Sequence, residues 1–93
     1  MLLKLLLKNQ QASGFTIKHC NNVLDNSIEK NGLVEYYNNE TQSIPPGCDY
    51  GFKIMFVVPG ESTIVILFDI SQPVIAIAKG IGYEWKGWSY IRY

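Results

Sequence analysis

Phe52-Lys53-Ile54-Met55-Phe56-Val57-Val58, then Pro59-Gly60-Glu61-Ser62, then Thr63-Ile64-Val65-Ile66-Leu67-Phe68-Asp69-Ile70: this stretch decides the fold. Both apolar runs are rich in β-branched and aromatic residues, and Pro-Gly between them is a turn signal, so the pair reads as an antiparallel hairpin. In the second run Ile64, Ile66, Phe68 and Ile70 share one face, with Val65 and Leu67 on the other. Both faces are apolar, which predicts a central strand.

Outward from the hairpin, Gln72-Pro73 breaks the chain and Val74–Ala78 (VIAIA) reads as a further strand. Gly80 and Gly82 then loosen it into a loop over Gly80–Gly87, and Trp88–Tyr93 (WSYIRY) alternates as a closing strand. Upstream, Leu3, Leu5 and Leu7 alternate with Lys4 and Lys8, and FTIKHC (15–20) follows an NQQASG loop, which suggests strand, loop, strand. Ser27–Lys30, Asn31-Gly32 and Leu33–Tyr37 carry the signature of a short hairpin. Ile44-Pro45-Pro46-Gly47 closes a polar loop before the central strands. Helical periodicity over ten or more residues is missing. About seven short strands in one domain, residues 1–93, predict an all-β, antiparallel β-sandwich, with a flattened β-barrel as the alternative.

Eight acids balance eight bases, so no net field draws in nucleic acid, and none is expected as a partner. The leucine-rich start is broken at Lys4 and has no small-residue cleavage site, and the longest apolar stretches have a strand's length. The chain as given is therefore expected to be soluble, without a signal peptide or membrane span, and its localisation stays open. His19 is the one histidine, and its neighbour Cys20 points to the opposite face of the same strand. Two cysteines and one histidine fall short of a zinc set. The glycines at 80, 82 and 87 do not form a phosphate loop. No catalytic residue, metal site or cofactor is expected, and an enzyme is the last reading. Cys20 and Cys48 are either one disulfide or two buried thiols. Asn39-Glu40-Thr41 matches a glycosylation acceptor.

The functional lead is the last fifteen residues, KGIGYEWKGWSYIRY, which hold five of the twelve aromatics and both tryptophans, with Lys79, Lys86 and Arg92 among them. On a strand, Trp88, Tyr90 and Arg92 share one face while Ile91 and Tyr93 take the other. Trp and Tyr favour half-wet, half-apolar places, so this patch either completes the core or contacts a ligand. The candidate ligand-binding residues are Tyr83, Trp85, Trp88, Tyr90 and Arg92.

The order of features (LLLKNQQASGFT, then Ile44-Pro-Pro-Gly47, a strand pair, then Tyr83-Glu-Trp85 and Trp88-Ser-Tyr90-Ile-Arg-Tyr93) resembles the actinoporin-like cytolysins and, more loosely, the aegerolysins. The resemblance implies a β-sandwich that recognises lipid head groups. It also implies Tyr83, Trp85, Trp88 and Tyr90 as an aromatic cage for a quaternary ammonium. The chain is shorter than those families, and Met1–Lys8 is too short for the N-terminal helix that actinoporins insert, so pore formation is not implied. The leading expectation is a non-enzymatic binding module whose C-terminal aromatic and basic patch contacts a lipid head group or membrane surface. The alternative is a protein-interaction module, such as an immunity or inhibitor protein, since Tyr, Trp and Arg dominate interface hot spots. A homodimer through an edge strand is a third expectation.

Overall fold

The computed structural model describes residues 17–93. The expected first strand (Leu3–Leu7), its following loop and Phe15-Thr16 lie outside these residues. Six strands form one open sheet in the order β1 (Lys18–His19), β2 (Val34–Tyr37), β3 (Gly51–Val58), β4 (Ser62–Asp69), β5 (Val74–Ile81) and β6 (Glu84–Arg92). The all-β class therefore holds. The described strands make a single sheet, and the layer over one of its faces comes from irregular chain rather than a second sheet. All pairings from β2 to β6 are antiparallel, whereas β1 runs parallel to β2, against the expectation of antiparallel strands throughout.

The β3–β4 hairpin forms as the sequence predicts, with eight residues facing eight from Gly51↔Asp69 to Val58↔Ser62. Its turn has proline in the first corner and Gly60 at φ +71° in the second, and the Glu61 amide donates to the Val58 carbonyl at 2.9 Å. Proline presets the first corner and glycine tolerates the left-handed second.

Two other elements differ from their sequence reading. Ile28–Lys30 is a 3-10 turn rather than a strand, so no Asn31-Gly32 hairpin forms. Asn31 keeps φ −62°, whereas the tight hairpin turn needs both corners at positive φ. Its side-chain oxygen instead accepts the Val57 amide at 2.9 Å, and the Gly32 amide donates to the Met55 carbonyl at 2.7 Å. The expected Gly80–Gly87 loop is also absent. Gly80 lies inside β5, the turn is the two residues Gly82-Tyr83, and β6 begins at Glu84. Gly82 at φ +63° in the first corner gives the primed turn that suits a twisted hairpin.

Strand pairing arranges the covered face as a grid. One row reads Glu35, Lys53, Leu67, Ala76, Tyr90; the next reads Met55, Val65, Ala78, Trp88. Over them lie Cys20, Val23 and Leu24 from one loop and Ile44 and Cys48 from another. The two loops are joined where the Gln42 amide donates to the Asn21 carbonyl at 2.8 Å and the Val23 amide to the Gln42 carbonyl at 3.2 Å.

Gly51 is buried between Tyr37 and Asp69 in the same transverse row. The Tyr37 hydroxyl reaches across Gly51 and donates to the Asp69 carboxylate at 2.8 Å. A Cβ at Gly51 would collide with the Phe68 carbonyl oxygen, where only backbone movement could relieve it. At Gly80 a Cβ would meet the Trp85 ring at 3.3 Å, and that half-buried ring has room to shift. Gly51→Ala should therefore cost about 3 kcal/mol or more and Gly80→Ala about 1 kcal/mol, as read by urea unfolding. Equal costs would refute this account of the packing.

Candidate functional site

Placement of the C-terminal aromatics depends on one irregularity in β6. Ala78 pairs with Trp88 and Gly80 with Trp85, so two steps along β5 match three along β6. The extra residue forms a bulge at Lys86-Gly87, with Gly87 at φ +89°. Residues three apart on a regular strand point to opposite faces, and the bulge reverses that parity. Trp85, Trp88, Tyr90 and Arg92 consequently project from the same side, above Gly80, Ala78, Ala76 and Val74. Small residues on β5 make room for large rings on β6.

All three of Trp85, Trp88 and Tyr90 are half-buried and pack on the core. The Arg92 guanidinium lies 5.2 Å from the Tyr90 ring centre, a cation–π contact at the sheet's margin. Tyr83, 96% exposed at the turn, is the ring that stands free in solvent. Beside it Lys86 and Glu84 form an exposed pair at 2.9 Å. The structure thus collects four of the five candidate residues on one face and leaves Tyr83 apart at the hairpin tip.

The polar groups with chemical potential are engaged inside the fold. Glu35 accepts from Lys30 at 2.7 Å and from Lys53 at 3.1 Å, and the Lys53 side chain is wholly buried. Burial alone would raise the Glu35 carboxyl, but the two ammonium groups outweigh it and hold the acid below its ordinary range. Asp69 accepts from the Tyr37 hydroxyl at 2.8 Å, the Asp49 amide at 2.9 Å, the Gln72 amide at 2.8 Å and the Ser71 hydroxyl. These donors overcome the effect of burial and lower its carboxyl as well. Burial and the adjacent Asp69 charge push the Tyr37 phenol far up.

His19 Nε2 sits 2.9 Å from Asn38 Oδ1 and 3.1 Å from Thr41 Oγ1. The Thr41 hydroxyl already donates to the Cys20 carbonyl at 2.8 Å, so it can only accept from the imidazole, and Nε2 carries the proton. This bonding also occupies the hydroxyl of the Asn39-Glu40-Thr41 triplet. Cys20 and Cys48 are free, buried thiols. Desolvation raises both pKa values, which keeps them protonated and weak as nucleophiles. Among the described residues no group of three or more His, Cys, Asp or Glu is placed to hold a metal ion, and no helix is long and apolar enough to cross a membrane.

The opposite face of the sheet is the feature that sequence reasoning did not single out. Its rows read Tyr36, Phe52, Phe68, Ile75, Ile91, then Val34, Ile54, Ile66, Ile77, Ser89, then Phe56, Ile64 and Lys79. The large apolar side chains of this face that stand most open, from Val34 to Ile91, are between 38% and 61% exposed. At one end Tyr36, Tyr50, Phe52 and Ile70 line an apolar cleft of about 640 Å³. The signal was present in the alternate Phe and Ile residues of β3, β4 and β5, which a two-layer reading assigns to a covering sheet.

Comparison with family models, curated proteins and solved structures returns no match to this chain.

Two expectations follow from the buried charges. Glu35→Ala strands Lys53 in the core and should cost about 3–5 kcal/mol, whereas Glu35→Leu with Lys53→Met should recover most of that loss. Unfolding free energies of the two variants check this, and equal losses would contradict it. Asp69 has a folded pKa below its unfolded value of about 3.9. Its contribution is complete above that value and is lost as pH falls through the folded pKa. Urea midpoints measured from neutral pH down to strong acid should fall more steeply for the wild type than for Asp69→Asn; parallel curves would exclude Asp69 as the source.

Proposed function

We propose that this protein is a non-enzymatic protein-interaction module that works through the open apolar face of β2–β6. One observation carries the reading: a largely apolar surface across five strands, interrupted at Lys79 and Ser89. The outer side chains of this face expose 38–61% of their surface, and Ile54, Ile66, Ile75 and Ile77 between them expose less. With about 150–250 Å² for each aromatic, the summed open area is on the order of 1,000 Å². The largest apolar patch on an ordinary monomer is about 300–600 Å². Surfaces larger than that mark contact sites, and aromatic and aliphatic side chains with few charges are the composition of an interface centre.

A lipid head group or membrane surface, the function suggested by the C-terminal aromatics, has less support from the geometry. Trp85, Trp88 and Tyr90 pack against β5 instead of enclosing a shared open space. Attraction to anionic lipid requires clustered Lys and Arg, and the open face carries Lys79 within a chain of zero net charge. Vesicle flotation separates the two functions. With phosphatidylcholine vesicles, and with vesicles containing phosphatidylserine, the protein should stay in the soluble fraction with unchanged tryptophan emission. Flotation that Tyr83→Ala or Phe68→Asp abolishes would reject protein contact as the function and move it to a lipid surface.

A further inference from the structure

We infer that the occupant of the open face is a second copy of this chain, packed sheet on sheet about a two-fold axis that runs along β4 between the two sheets. This rests on the protein-interaction reading and names the partner. Three observations favour a second copy over an unrelated protein.

Area is the first. A stable interface of standard size takes about 800 Å² from each partner, and this face supplies on the order of 1,000 Å². Charge is the second. The Tyr36–Ile91 and Val34–Ser89 rows hold no acidic or basic side chain, and the chain has no net charge. A two-fold contact presents one patch to itself, so a charged patch would meet its own sign; here the one charge of the three rows, Lys79, falls over the partner copy's Phe56 and not over its own copy. So little charge leaves scant electrostatic feature by which an unrelated partner would be chosen.

Shape is the third. Aromatics concentrate on the β2–β3 side of the face and isoleucines on the β5–β6 side. A two-fold axis along β4 sets each copy's β2–β3 over the other's β5–β6, so Tyr36 lies over Ile91, Phe52 over Ile75 and Ile54 over Ile77, while the two copies of Phe68 meet on the axis. Twisted sheets pack face to face about 10 Å apart at about −30°, and side chains of this size fill that gap. The edge of β6 is the poorer route to a dimer, because Lys86, Arg92 and the Gly87 bulge blunt its strand-pairing groups.

Sedimentation velocity over a dilution series of the full chain tests the inference. The wild type should run at twice the 10.5 kDa protomer mass. Phe68→Lys should weaken self-association at least tenfold while the circular dichroism stays unchanged, and Arg92→Glu at the β6 edge should leave it intact. If Phe68→Lys fails to fold, Phe68→p-benzoylphenylalanine keeps a ring at the site and should photo-cross-link one copy to another. A wild type that stays monomeric at every concentration overturns the second copy and leaves protein contact standing. A dimer that survives Phe68→Lys and dissociates with Arg92→Glu overturns it in favour of the edge. A monomer that floats with vesicles overturns both this inference and the reading beneath it.

Discussion

Eight residues of β3 face eight of β4 without a slip, and that register decides the side of the sheet on which each side chain of the central strands lies. Sheet periodicity is two, so displacement of one strand by one residue would exchange its faces entirely. Slipping β4 by one residue against β3 would turn Phe68 inward and swing Asp69 away from Tyr37, while Phe52 and Phe56 stayed outside. β2 and β5 take their registers from this hairpin, and β6 takes its register from β5. The two faces of the molecule are one decision repeated across the sheet.

Buried polar groups hold that decision in place. Lys53 has no exposure to water, and its salt-bridge partner is Glu35, directly opposite on β2. Any register that separated them would leave a charge in the core without its counter-ion, at a cost of several kcal/mol. Two residues along, Tyr37 of β2 meets Asp69 of β4 across Gly51. Replacing these groups with apolar residues could leave stability unchanged while removing the penalty on misaligned sheets.

The elements that were legible in the sequence are those with a local cause. Alternation and Pro59-Gly60 gave the central hairpin, and alternation in WSYIRY put Trp88, Tyr90 and Arg92 together and Ile91 opposite. The elements that were not legible depend on distant partners. Asn31-Gly32 has the composition of a tight turn, yet the Asn31 side chain is engaged by the Val57 amide. Gly80 looks like a loop residue, yet it lies within β5 because the Trp85 ring needs the space above it. Gly87 looks equally loose, and it creates the bulge that brings Trp85 to the same face as Trp88. Nothing within those few residues distinguishes a glycine that breaks a strand from one that accommodates a neighbour.

The same distinction reverses the relative weight of the two surfaces. Clustered aromatics make the C-terminal segment conspicuous, but β5 opposes Tyr90, Trp88 and Trp85 with the small residues Ala76, Ala78 and Gly80, which fits a packing role. The open face is spread over five strands at every second position and has no motif, so it becomes visible only when the strands are aligned. A domain of this size buries little more than about 60% of its unfolded surface, and an uncovered sheet face lowers that yield further. Covering it would turn one sheet with a single core into two sheets sharing another, and the apolar side chains that gain from this already stand in regular rows. Binding and completion of the fold would then be one physical event, driven by the surface that the central hairpin's register turns outward.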